Sequence, residues 1–155
     1  MITVREASDA DVEALVTVIN AAFKVEEFFK TGDRTDAAEI RERFARGSFI
    51  VAELDRSIVG AVFVDRHEDT GHFAMLAIDP AHHKRGIGLK LMTAAEEWCY
   101  GAGCSSVEIE VVNLREELPA FYRKHGYAIS GTRPFPDHFE ATLPCHFVVW
   151  TKSLT

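Results

Sequence analysis

The chain lacks the marks of several large protein classes. No apolar run approaches the ~18 residues a membrane span requires, and Met1-Ile2-Thr3-Val4-Arg5 does not open a secretory leader. A cytoplasmic protein with no membrane partner is therefore expected. Cysteine is scarce. Cys99, Cys104 and Cys145 are an odd set without C-x-x-C spacing, which excludes a disulfide framework or zinc ribbon and leaves three reduced, small hydrophobes. The seven histidines form neither H-x-x-x-H nor H-E-x-x-H, so no metal is expected. Positive charge is short as well: 17 Lys and Arg against 24 Asp and Glu give a net charge of -7, the wrong balance for nucleic acid and a better one for a cationic substrate. No repeat, low-complexity run or linker divides the chain, so residues 1–155 are read as one domain.

An apolar content of 47% with 26% charged residues is that of a globular protein, and its periodicity gives the elements. Ile2 to Arg5 is a short strand. Ser8 caps a helix carrying Val12, Leu15, Val16, Ile19 and Phe23, and Asp36 with Glu39 starts a second one that stops at Gly47. Ser48 to Leu54 and Ile58 to Asp65 form a hairpin around Asp55-Arg56-Ser57, and a third strand runs from about His72 to Ile78. Gly86 to Trp98 is helical. Ser106 to Val112 alternates as a strand, and Pro119 opens a short helix that Gly126 ends. Tyr127 to Ser130 and His146 to Thr151 are the last strands, with an irregular loop from Thr132 to Cys145. The order β-α-α-β-β-β-α-β-α-β-β predicts an α+β fold, a mixed sheet with helices on both faces.

The basic knot His83-Lys84-Arg85-Gly86-Ile87-Gly88-Leu89-Lys90 stands out in this acidic chain. It follows an apolar strand and opens a helix, where unpaired N–H groups and the positive end of the helix dipole cradle a phosphate or pyrophosphate. A dinucleotide fingerprint would need a glycine where Leu91 stands, and the G-K-[ST] of a P-loop is missing.

Phe73-Ala74-Met75-Leu76-Ala77-Ile78-Asp79-Pro80 followed by His83 to Met92 resembles the acetyl-CoA motif of the GNAT superfamily of N-acyltransferases. Asn113 and Leu118-Pro119-Ala120-Phe121-Tyr122-Arg123-Lys124-His125-Gly126-Tyr127 resemble that family's second motif. Two departures are visible: His83 replaces the usual Gln or Arg, and alanine stands two residues before the tyrosine. The resemblance covers nearly the whole chain. It implies a GNAT-like, mostly antiparallel sheet of about seven strands, acetyl-CoA as cofactor, and transfer of its acetyl group to an amine by direct attack in a ternary complex. A homodimer, frequent in relatives, is compatible with it.

The same resemblance assigns roles. His83, Lys84, Arg85, Gly86, Ile87, Gly88, Leu89 and Lys90 would bind the cofactor's diphosphate, Leu76, Ala77 and Ile78 its pantetheine arm and thioester, and Asn113 either that arm or the strand end. Tyr122 would be the general acid, because a phenol can give its proton to a leaving thiolate and stay protonated at neutral pH. Three residues compete to be the general base, His72, Glu110 and Glu108, with a water chain as the remaining option. Phe28, Phe29, Phe135 and Phe139, with Glu26, Glu27, Asp137 and Glu140 nearby, suggest an aromatic acceptor pocket rimmed by acids, suited to a small-molecule primary amine with an apolar part. Two alternatives remain: a non-catalytic acyl-CoA sensor or interaction module, and a protein N-terminal or lysine acetyltransferase.

Overall fold

In chain order the elements are β1 (Ile2–Glu6), α1 (Val12–Phe23), β2 (Lys30–Thr31), α2 (Ala37–Phe44), β3 (Ser48–Leu54), β4 (Ser57–His67), β5 (Thr70–Ile78), α3 (Ile87–Gly101), β6 (Ser106–Val112), α4 (Leu118–Lys124), β7 (Ala128–Pro134), β8 (Glu140–Ala141) and β9 (His146–Ser153). They come from a computed structural model that describes residues 1–155. Local chemistry accounts for several boundaries. Asp36 accepts a 2.8 Å hydrogen bond from the Glu39 N–H and so caps α2. The hairpin between β3 and β4 turns on Asp55 (φ 51) and Arg56 (φ 68), two left-handed residues as a two-residue turn requires.

Seven strands lie in the order β1-β3-β4-β5-β6-β9-β7, and β2 pairs with β8 in a separate ribbon. Every pairing is antiparallel except β5 with β6. This is the GNAT-like mixed sheet expected from the sequence. The long loop expected after Ser130 is more ordered than its composition suggests: β7 continues to Pro134, and Glu140–Ala141 pair with β2. A two-residue strand has no readable period, so only the contact with Lys30–Thr31 reveals it.

Apolar side chains divide between the two faces of the sheet. Val62, Val64 and Phe73 join Leu91, Met92 and Ala95 of α3 and Tyr122 of α4 on one face. On the other, Phe49, Val51 and Phe63 join Leu15 and Ile19 of α1 and Ile40 of α2. Close approach of α3 depends on glycine. A Cβ at Gly60 would lie 2.9 Å from both Ile87 and Leu91, and one at Gly71 would collide with Cys99.

Candidate active site

Two irregularities in β5 open the sheet. Its register against β4 slips between Ala61 and Phe63, because Ala61 faces Ala77 while Phe63 faces Ala74. Met75 takes a left-handed backbone (φ 57), uncommon for a residue with a side chain and typical of a bulge at a functional site. The bulge resets alternation: Ala74 and Met75 both pack toward the α1 side, after which Leu76 and Ile78 face α3 and Ala77 faces α1. On its other edge, β5 pairs with β6 only from Thr70 to His72. Beyond His72 the two parallel strands separate, leaving backbone groups of β5 exposed to an added extended chain.

At the C-terminal end of β5, Asp79 accepts from the Ala81 N–H at 2.9 Å and turns the chain. Lys84 (φ 67) and Gly86 (φ 73) then adopt left-handed conformations just before α3. The main-chain N–H groups from His83 through Leu89 find no acceptor inside the protein; the first bond of the helix is from Lys90 to the Gly86 carbonyl, at 3.1 Å. Donors concentrated at a helix N-terminus, with Lys84, Arg85 and Lys90 around them, fit a diphosphate. A Cβ on Gly86 would meet nothing within 4 Å, so that glycine is there for its backbone conformation. A Cβ on Gly88 would instead lie 3.4 Å from Ile78.

A cavity of ≈ 470 Å³ runs from this turn into the gap between β5 and β6. Of the residues singled out from the sequence, it brings together Leu76, Ile78, His83, Gly88, His72, Glu110, Tyr122, Phe135 and Phe139. Tyr122 is 6% exposed and packs against Phe73, Phe121 and Tyr127. Burial pushes its phenol up to about 12, which keeps it protonated. His72 stands between two carboxylates, Nδ1 3.4 Å from Asp65 Oδ1 and Nε2 3.7 Å from Glu110 Oε1. Burial alone would depress the imidazole, but contact with Asp65 and then Glu110 outweighs it and raises the group to about 9. Glu110 is held below the usual carboxylate range, chiefly by His72.

Several expectations need correction. Glu108 does not line the cavity; it is tied to Arg133 on β7, reached across the intervening β9. Asn113 accepts from the His146 N–H at 2.9 Å and so clamps the end of β6 to β9, which fits the strand-end alternative. Phe29, in the α1–α2 connection, is fully buried and packs edge-to-face with Phe28 and Phe135, while Phe28 is 54% exposed; neither lines the cavity. Ala77 turns its methyl to the α1 core. Of the expected acidic rim only Glu26 lines the cavity, and it is neutralised by Arg115 at 2.9 Å; Glu140 accepts from the Thr31 hydroxyl at 2.8 Å.

Other lining residues had no motif to announce them. Lys30 and Arg34 of the α1–α2 connection, Arg43 of α2 and Arg115 beyond β6 come from three segments and meet only in the folded chain. Asp65, the buried partner of His72, faces it across the β4–β5 ladder, a pairing that follows from register and not from any spacing.

Residues 14–127 match the Acetyltransferase (GNAT) family, and the chain belongs to it. It is therefore an acetyltransferase whose cofactor is acetyl-CoA, and the unpaired amides of the α3 turn fit that cofactor's diphosphate. The fold is shared with a protein provisionally assigned as a phosphinothricin N-acetyltransferase (19% identity, 100% of this chain and 99% of that one, TM-score 0.82). It is shared also with the ribosomal-protein-S18-alanine N-acetyltransferase of Escherichia coli (12%, 100% and 95%, 0.80). A third likeness is to yncA of Salmonella typhimurium, solved with its cofactor acetyl-CoA (16%, 99% and 94%, 0.76).

Proposed function

We propose that the chain is an N-acetyltransferase that acetylates the primary amine of a small molecule by direct attack within a ternary complex. The observation that carries this reading is the run of unpaired amides, His83 to Leu89, at the mouth of a cavity that also holds Tyr122 and the His72–Glu110 pair. When bound, acetyl-CoA supplies an acetyl group activated as a thioester. The α3 amides, with Lys84, Arg85 and Lys90, would hold its diphosphate, and the free edge of Leu76-Ala77-Ile78 would pair with the pantetheine arm. A main-chain N–H at the bulge would polarise the thioester oxygen, fixed in place before reaction begins.

His72 accepts the proton that the attacking amine must lose. Its position near pH 9 places it close to a primary amine in basicity, a good match for proton transfer, with Glu110 and Asp65 stabilising the resulting imidazolium. Tyr122 gives its hydroxyl proton to the departing thiolate, and the aromatic wall around it keeps bulk water away. The β2–β8 ribbon and the Phe135–Phe139 segment border the cavity, which favours a small acceptor over a protein chain.

Thiol release from acetyl-CoA in the presence of a panel of small primary amines tests the reading. Turnover with at least one amine is expected. Tight cofactor binding with no turnover on any amine or peptide would instead favour the sensor.

A further inference from the structure

The acceptor end of the cavity has more positive charge than its own carboxylates neutralise. Arg115 is satisfied by Glu26 at 2.9 Å and Glu117 at 3.1 Å. Arg43 donates to Glu39 at 3.4 Å, and Thr35 donates to the same carboxylate at 2.6 Å. Arg43 Nε nonetheless stays sealed without a partner, and Lys30 and Arg34 share what remains of Glu26 and Glu39. Lys30 is 5% exposed, and its ammonium lies 3.9 Å from Glu26, beyond hydrogen-bond reach. Arg34 has 13% of its side chain exposed and reaches Glu39 only at 3.9 Å. Neither side chain makes a hydrogen bond within the protein, and Arg34 Nη1 is sealed from solvent without a partner.

Both cations line the cavity beside aromatic rings. Arg34 lies 5.1 Å from the centre of Phe139 and 5.4 Å from Phe23, and Lys30 lies 5.5 Å from Phe139. Ring faces offset part of the desolvation of a cation, but they do not replace a hydrogen-bond acceptor. A guanidinium with a sealed, unfilled donor beside a largely buried lysine is costly in the free protein. Burial depresses both groups, as expected when compensation is incomplete. An anionic ligand group would fill these donors, and a guanidinium is suited to a carboxylate.

Resting on the acetyltransferase reading, we infer that the acceptor is an amino acid or a close analogue, its acidic group held by Arg34 and Lys30 and its amine presented toward His72 and Glu110. The sequence expectation of a plain amine with an apolar part gives way to an amine that also carries an anion. Phe135 and Phe139 remain to contact an apolar side chain.

The test compares pairs differing only in the acid: methionine with 3-methylthiopropylamine, phenylalanine with phenethylamine, leucine with isoamylamine, and the aminoalkylphosphonate analogue of leucine with the same amine. The acids are expected to exceed their decarboxylated partners in kcat/KM by ~10-fold or more, the scale of one charge-assisted contact. Arg34→Gln should bring that ratio close to one, through KM, while Arg34→Lys retains part of it. Calorimetry with the amino acids, with CoA present, provides a readout independent of turnover: binding by the wild type that Arg34→Gln weakens is expected. Equal or better turnover of the decarboxylated amines overturns the inference and leaves the acetyltransferase reading intact. Failure of the amino acids both to bind and to react overturns it too. If Arg34→Gln chiefly weakens CoA, and removal of the cofactor's 3′-phosphate does the same, the cations serve the cofactor and the inference falls. Absence of acetyl-CoA binding by the wild type would instead overturn the cradle.

Discussion

Two side chains carry most of the proposed chemistry, and each has a measurable handle. Tyr122→Phe removes one oxygen from a well-packed aromatic cluster, so the fold should persist. Turnover should fall ~10²-fold or more, the usual contribution of a general acid, with acetyl-CoA affinity by calorimetry unchanged. A variant as active as the wild type would exclude Tyr122 as the acid. His72 predicts the pH profile. With the imidazole near pH 9, its neutral, proton-accepting form is scarce at pH 7 and grows as pH rises. The rate should therefore climb toward pH 9 in the wild type and flatten in His72→Gln, measured under saturating substrates. Stability should run the opposite way. A raised imidazole stabilises the fold fully below its ordinary value of 6.5, and that contribution disappears as pH rises through about 9. Thermal unfolding should show a loss of up to ~3 kcal/mol across that window, absent from His72→Gln.

At the scale of elements, the site depends on irregular joints in regular structure. The α3 turn needs a left-handed residue at position 86, and the space beside Gly86 is open. The penalty of Gly86→Val is thus conformational, ~1–2 kcal/mol or more for a β-branched residue at positive φ. Loss of CoA binding with a folded protein is expected, and Gly86→Asn should restore part of the affinity because asparagine tolerates that conformation. Undiminished affinity in Gly86→Val would remove the cradle. The Met75 bulge has no signature in the residue pattern. Its neighbours Leu76, Ala77 and Ile78 are simply apolar, and apolar character does not tell a bulged strand from a straight one. The α1–α2 connection misled in a different way. Phe28 and Phe29 read alike in sequence, yet Phe29 is core and Phe28 is exposed. Phe29→Ala should cost ~3–5 kcal/mol in urea unfolding, while Phe28→Ala should leave both stability and KM nearly unchanged.

Across the whole molecule, two apolar clusters clamp the sheet, and glycines allow α3 to lie close upon it. Gly71→Ala drives a methyl into Cys99 and should destabilise by ~1–3 kcal/mol, visible in the denaturation midpoint. The order of the helices and of the strands in the main sheet, the α2 cap, the β3–β4 turn and the glycine-bearing turn before α3 were determined by the sequence itself. They rest on periods, caps and left-handed positions set between near neighbours in the chain, and near-neighbour chemistry needs no fold to be read. Tertiary structure alone decided that His72 lies between Asp65 and Glu110, that Glu108 belongs to Arg133, and that Lys30 and Arg34 face the cavity with their donors unfilled. Those contacts join segments far apart along the chain, and whether a charge is matched or stranded depends on how many opposite charges the packing places beside it.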